Sequence, residues 1–272
     1  MTYFFATHVW LSGLIIVGLG TLLSALGPSL IRRYVTLERL SANNEIAGFK
    51  FATVGVLYAV LLAFVIIVVW QKYSDAENTV AQEAGAAATL YRLSYGMDDQ
   101  TGPALRAALT QYLGLVISDD WPAMSQGASG ASRSARQALD SIYATLWTSA
   151  NRDNVPVMSE VLHQLDILTQ TRRNRLVAAE GAVPGVIWVV LVGGAVVTIV
   201  FTFFFGTRNL DAQTMMTALL AALIFSELLI VVVIDRPFTG TVSVEPTPLA
   251  NVLADFRPEP AAPPPRLEPT RR

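Results

Sequence analysis

Few side chains in this sequence are of a type and spacing that could do chemistry. The most conspicuous is a carboxylate in an apolar run. Glu227 sits in Phe-Ser-Glu-Leu-Leu, within Thr214 to Ile234, a stretch otherwise free of charge. A carboxylate at bilayer depth costs about 2.5–3.5 kcal/mol on insertion scales, so it must face a helix bundle or water. Two roles fit: an ion path or proton relay, or a packing residue hydrogen-bonded to a neighbour such as Ser226. Arg172, Arg173 and Arg175 form a second group, ahead of another apolar run. They could draw anions or lipid headgroups, or act as a plain interfacial anchor. Asp119-Asp120 beside Trp121 is an acidic pair, which without further ligands is a weak calcium signal.

Other chemistries lack their residues. The chain has no Cys, which removes disulfides, thiolate metal sites and cysteine nucleophiles. His8 and His163 cannot build a metal site unaided, and neither stands beside an identifiable nucleophile. No glycine-rich phosphate loop is present. With no nucleophile–base pair and no ligand set, no enzyme, metal or cofactor is expected. Lys+Arg 19 against Asp+Glu 21 leaves no basic domain for nucleic acid.

The elements that must carry these residues follow from composition. Only 15% of the 272 residues are charged, against roughly 25% in soluble domains, and the mean hydropathy is +0.46. No Asp, Glu, Lys or Arg occurs in Met1 to Ile31, Phe51 to Gln71 or Gly181 to Thr207. With Thr214 to Ile234 these make four runs, each long enough for the roughly 20 helical residues that cross a bilayer. The expectation is an all-α membrane protein whose four transmembrane helices have a helical-bundle domain inserted between spans two and three. The first run lacks a basic leader and is too long for a signal peptide core, so it reads as a retained span. The expected division is 1–70 for the first helix pair, 71–182 for the extramembrane helical domain, 183–235 for the second pair, and 236–272 for a tail. That tail holds nine of the 14 prolines and should be largely disordered.

No proline falls between Gly48 and Tyr95, so the second span should run on into the helical domain as one rod. Further helices should begin near Thr101-Gly-Pro103, bend at Asp120-Trp121-Pro122, and cover Ser132–Ala150 and Asn154–Gly181. Small residues recur in the spans: Gly13, Gly20 and Gly27 in the first, and Gly48, Ala52, Gly55, Ala59 and Ala63 in the second. Such rows let helices approach closely in lipid, and serve either ordinary packing or a pore-lining interface. Asn43-Asn44-Glu45 offers short polar groups suited to capping a helix start.

Several stretches together resemble a known family. They are Asn44-Glu-Ile-Ala-Gly-Phe, Val54-Gly-Val-Leu-Tyr-Ala-Val-Leu-Leu-Ala-Phe, Trp70-x-x-Tyr73, Glu83-Ala and Tyr91-Arg. Then follow Tyr112 ahead of Asp120-Trp121, Arg172-Arg-x-Arg-Leu176, and Asp235-x-Pro-Phe-x-Gly240. In this order they look like the bestrophin-like domain family of bacterial membrane proteins, over roughly residues 5 to 255. That family in turn resembles bestrophins, pentameric anion channels with four spans and a second helix lining the pore. The bestrophin Pro-Phe-Gly motif is loosened here to Pro237-Phe238-Thr239-Gly240, and the acidic cluster that follows it in animal bestrophins is missing, which puts calcium gating in doubt. The resemblance implies a multi-pass protein of the bacterial inner membrane, a homo-oligomer (a pentamer if bestrophin-like) in the lipid bilayer, and inorganic anions as permeant species. Phe51, Gly55, Tyr58 and Phe64 on the second span, with Glu227, are then the pore or gate candidates. The alternative is a non-conducting membrane sensor or scaffold whose helical domain binds a partner. Positive charges flank the spans five against five, so they do not choose an orientation.

Overall fold

The computed structural model describes residues 9–128, 132–149 and 155–256. Helices α1 (Val9–Tyr34), α2 (Leu37–Ser41) and α3 (Asn44–Leu93) come first. They are followed by α4 (Thr101–Leu115), α5 (Trp121–Ser125), α6 (Arg133–Ser149) and α7 (Val155–Ala178), then by α8 (Gly185–Phe203), α9 (Leu210–Ile234) and α10 (Thr247–Asp255). There is no strand among the described residues. Among the described residues, four helices are long and apolar enough to cross a membrane, namely α1, α3, α8 and α9.

Local chemistry explains the boundaries. Asp98 accepts from the amides of Gln100 and Thr101 at 3.0 and 2.8 Å and so starts α4. The Asn209 side chain accepts from the Ala212 amide at 3.1 Å and starts α9. Pro122 follows a π turn within one unbroken helical run, and the wider turn accommodates a residue that cannot donate a helical hydrogen bond. The bend expected there is a five-residue π-helical turn over Val116–Asp120 rather than a break. The tail is folded further than its proline content suggested, since Leu249 and Phe256 are buried. The Pro-rich residues 257–272 lie outside the described residues, as does His8.

Helix α3 is continuous for 50 residues, as the absence of proline required. At about 1.5 Å per residue it is some 75 Å long. A proline at Gln71 removes one helical hydrogen bond and clashes with the preceding turn. Gln71→Pro should therefore cost about 3 kcal/mol or more, read as a fall in thermal midpoint with loss of helical circular dichroism. An unchanged midpoint would contradict a continuous rod.

The chain forms two compact units. The first comprises the described residues of Met1–Glu77, Met124–Ser129 and Leu176–Val244, and the second those of Asn78–Ala123, Gly130–Arg175 and Glu245–Arg272. The core of the first unit joins Tyr58, Leu62, Val65 and Val69 of α3 to Leu191, Ala195 and Ile199 of α8 and to Ala221, Ile224 and Val231 of α9. Helix α1 joins through its glycines. A Cβ added at Gly13 would meet Leu229 at 2.7 Å, and one at Gly20 would meet Phe225 at 2.6 Å. Only 17–28% of each spanning window is buried within the chain, and Leu14, Leu22, Val186, Val189, Met215 and Leu219 point outward. An apolar exterior of this extent fits lipid or other protein, not water.

The second unit is built on Leu105, Leu109, Tyr112, Leu113 and Val116 of α4 and its π turn, Ala135, Ile142 and Leu146 of α6, and Val161, Leu165 and Leu168 of α7. Helix α10 ends against it, where Phe256 stacks on Tyr91 with ring centroids 3.8 Å apart. The Tyr91 hydroxyl donates to the Phe256 carbonyl at 2.9 Å.

Candidate functional site

Two constellations stand out, one in each unit. In the second unit the apolar stripes carry ions. On α3, Val80, Glu83, Ala87 and Leu90 recur at helical spacing and are all buried. On α7 the stripe Val161, Leu165 and Leu168 continues into Arg172 and Arg175. On α4 and its π turn, Leu105, Leu109, Tyr112 and Val116 lead to Asp120. Helical packing therefore brings two carboxylates and two guanidiniums into one dry cluster.

The Arg175 Nε donates to Glu83 at 2.6 Å, and its Nη2 reaches Glu83 at 3.2 Å and Asp120 at 3.3 Å. Arg172 Nη2 also donates to Asp120, at 3.3 Å, and the guanidinium of Arg175 lies 5.3 Å from the Trp121 ring centroid. The Tyr112 hydroxyl donates to Glu83 at 2.6 Å. Asp120 uses its other oxygen on the Ser132 amide at 2.7 Å. Burial alone would lower the Arg175 pKa, but Glu83 first, then Tyr112 and Asp120, hold it above its ordinary value. Asp119 is turned outward to Ser134 and Ser118, whose hydroxyls hold its carboxyl below the usual range. Both members of the acidic pair are thus occupied, and no group of three or more potential metal ligands exists among the described residues.

Burial raises the Tyr112 phenol well above its ordinary 10.0, and the Glu83 carboxylate adds to the rise while Arg175 opposes it. A raised folded-state value means that its contribution is complete below the unfolded-chain value and is lost as pH climbs through the folded one. Stability should hold up to about pH 10 and then fall. Tyr112→Phe should flatten that alkaline decline while lowering stability overall. Denaturant midpoints measured at several pH values check this, and an alkaline decline that persists in the variant would contradict it.

The arginine row thus divides. Arg172 and Arg175 are buried in ion pairs, which removes them from any anion-attracting surface, whereas Arg173 is exposed. Glu83 and Tyr112 were not anticipated as partners. The available signal was a carboxylate in the inner stripe of α3, which requires a cation at that depth.

In the first unit, α3 buries one stripe and leaves the rest uncovered. Tyr58 belongs to the buried stripe, and its ring lies where a Cβ on Gly194 would come within 2.6 Å. Phe51 packs on Phe201 and Phe205, with centroids 5.8 and 5.7 Å away. Phe64 is 65% exposed. A Cβ on Gly55 would meet nothing within 4 Å, and Ala52, Ala59 and Ala63 of the same row are exposed. Opposite the buried stripe run Phe49, Val56, Val60, Phe64 and Ile67, all exposed. Glu227 is half-buried, three residues after buried Ile224 and four before buried Val231. Ser226 does not hold it, since that hydroxyl donates to the Ala222 carbonyl at 2.7 Å.

The ends of this unit are tied by polar locks. Asn44 is no simple cap: its Nδ2 donates to the Gly206 carbonyl at 2.6 Å and its Oδ1 accepts from the Gly206 amide at 2.9 Å. Arg32 donates to the Thr207 carbonyl and, at 2.9 Å, to Gln213. At the opposite end of α9, Asp235 Oδ1 accepts from the amides of Ala182 and Val183 at 2.9 and 2.8 Å. Beyond it Phe238 is buried, and Gly240 takes a φ of 87° that favours glycine.

A family model described as Bestrophin-like domain matches residues 18–249. No curated protein matches by sequence. Among solved structures, two variants of a bacterial bestrophin homologue from Klebsiella pneumoniae are similar in fold. One aligns with a TM-score of 0.67 at 14% identity, covering 88% of this chain and 98% of the other. The second aligns at 0.69 and 13%, covering 90% and 98%. A crystal structure described as a membrane protein aligns at 0.68 and 13%, covering 88% and 98%.

Proposed function

From the premise that this chain belongs to the bestrophin-like family and carries four helices able to cross a membrane, we propose that it is an oligomeric, anion-permeable channel of the bacterial inner membrane with α3 lining the path. One observation carries the proposal beyond family membership: α3 leaves two surfaces unused by its own chain. The small row Ala52, Gly55, Ala59 and Ala63 suits the close approach of a neighbouring copy. The adjoining row Val56, Val60, Phe64 and Ile67 suits a hydrophobic constriction that gates by dewetting. Of the aromatic candidates, Phe64 is the one that suits this reading, being exposed, while Phe51 and Tyr58 pack toward α8. Glu227 faces the helix core, so a permeating anion would not meet its charge. The anion preference and the pentameric ring rest on the resemblance to bestrophins.

Reconstitution in planar bilayers tests the reading. The expected result is an anion-selective conductance, enlarged in Phe64→Ala, from a protein whose native mass corresponds to a closed ring. A monomer or dimer with no conductance across a range of pH and calcium would instead favour a membrane scaffold.

A further inference from the structure

Arg32 is the first charged residue after the apolar run of α1, in the last turn of that helix. An arginine at such a place commonly extends its head into water. This one is half-buried and reaches the loop between α8 and α9 instead. Its Nη2 donates to the Thr207 carbonyl, to Thr207 Oγ1 at 3.4 Å and to Gln213 Oε1 at 2.9 Å. Gln213 is itself buried and fixed, because its Nε2 donates to the Phe205 carbonyl at 2.6 Å. The Thr207 hydroxyl is committed to the Asn209 carbonyl at 2.9 Å. Neutral oxygens thus grip one nitrogen of the guanidinium. Among the described residues, Nη1 donates to nothing, and Nε is enclosed without a partner.

The charge has no counter-charge within the unit. An arginine does not shed its proton inside a protein, and a cation drawn out of water needs an anion beside it. Arg32 forms no ion pair among the described residues; the nearest acidic residue along α9, Asp211, is exposed. The carbonyl end of α1 offsets part of the charge but accepts no bond from it. Arg33 and Arg208, next in sequence to Arg32 and Thr207, are exposed and add positive charge at the same end.

We propose that Arg32 is the fixed cation of an anion site at this end of the membrane unit, taking a phosphate oxyanion on the guanidinium donors that the chain leaves unused. The planar guanidinium matches a phosphate better than a lysine would. Phosphate can arrive there as a phospholipid headgroup, at the depth where α1 leaves its apolar run, or as the free ion.

Full-length protein in detergent can be titrated with inorganic phosphate and, separately, with short-chain phosphatidylglycerol below its micelle concentration, followed by phosphorus NMR. Tighter binding of the lipid identifies the headgroup as the occupant, and equal or tighter binding of phosphate identifies the free ion. Arg32→Gln should weaken the tighter probe by about tenfold or more. Arg39→Gln, which removes an exposed cation of α2, should weaken it less than about twofold. Should Arg32→Gln fail to fold, phenylglyoxal labelling with peptide mapping reads the site in the parent chain. The tighter probe should slow modification of Arg32 and leave that of Arg39 unchanged. Binding of neither probe, equal losses in the two variants, or labelling of Arg32 that ignores the probe overturns the proposal. Failure to conduct would sink the channel reading and leave this one standing.

Discussion

Glu83→Ala should destabilise the second unit by about 3–5 kcal/mol, the range for stranding one half of a buried ion pair. Arg175 would keep its burial and lose its shortest contact, the 2.6 Å bond from Nε, while Asp120 is already shared with Arg172. Tyr112 would lose its acceptor as well. Hydrogen exchange resolved to segments measures the effect. Protection should fall around Glu83 on α3 and across α4 and α7, which the cluster joins, while α8 and α9 change little. Replacing the whole cluster with apolar residues of similar volume should cost far less than the single change, because no charge is then left unpaired. Equal losses in the two experiments would mean that packing, not charge compensation, sets the stability of this unit.

Gly20→Leu and Gly55→Leu should have opposite effects on the chain, although both enlarge a glycine in a transmembrane row of small residues. At Gly20 the new side chain would collide with the Phe225 ring at a spacing no real Cβ adopts. Overpacking of this kind costs about 1–3 kcal/mol or more, and α1 should detach from α9. At Gly55 nothing stands within 4 Å, and a leucine is the better helix former, by a little less than the roughly 0.8–1.0 kcal/mol that separates glycine from alanine. Unfolding in detergent should therefore show loss at Gly20 and no loss at Gly55. The Gly55 variant should show its effect in the mass of the assembly. If Gly55→Leu unfolds the chain as readily as Gly20→Leu, the row on α3 is packed internally and is not free for another copy.

The sequence by itself determined the elements. Three uncharged runs and a fourth broken only by Glu227 specify four spans, because a bilayer excludes charge and sets a minimum length. The unbroken stretch from Gly48 to Tyr95 specifies one rod because only proline or an uncovered charge would end it. A lone carboxylate in an apolar run also marked Glu227 as a residue that must face a bundle or water, whereas Arg172 and Arg175 read as surface cations and are buried. Sequence alone could not say which helices meet, and so could not pair Glu83 with Arg175 across 92 residues or set Tyr58 against Gly194. The two glycine rows read alike for the same reason: a small residue permits close approach, and only tertiary packing decides whether a neighbour occupies the space. On α1 the side chains of Leu229, Phe225 and Phe203 fill it. On α3 the chain leaves it open, because the single buried stripe of that helix is already satisfied by α8 and α9.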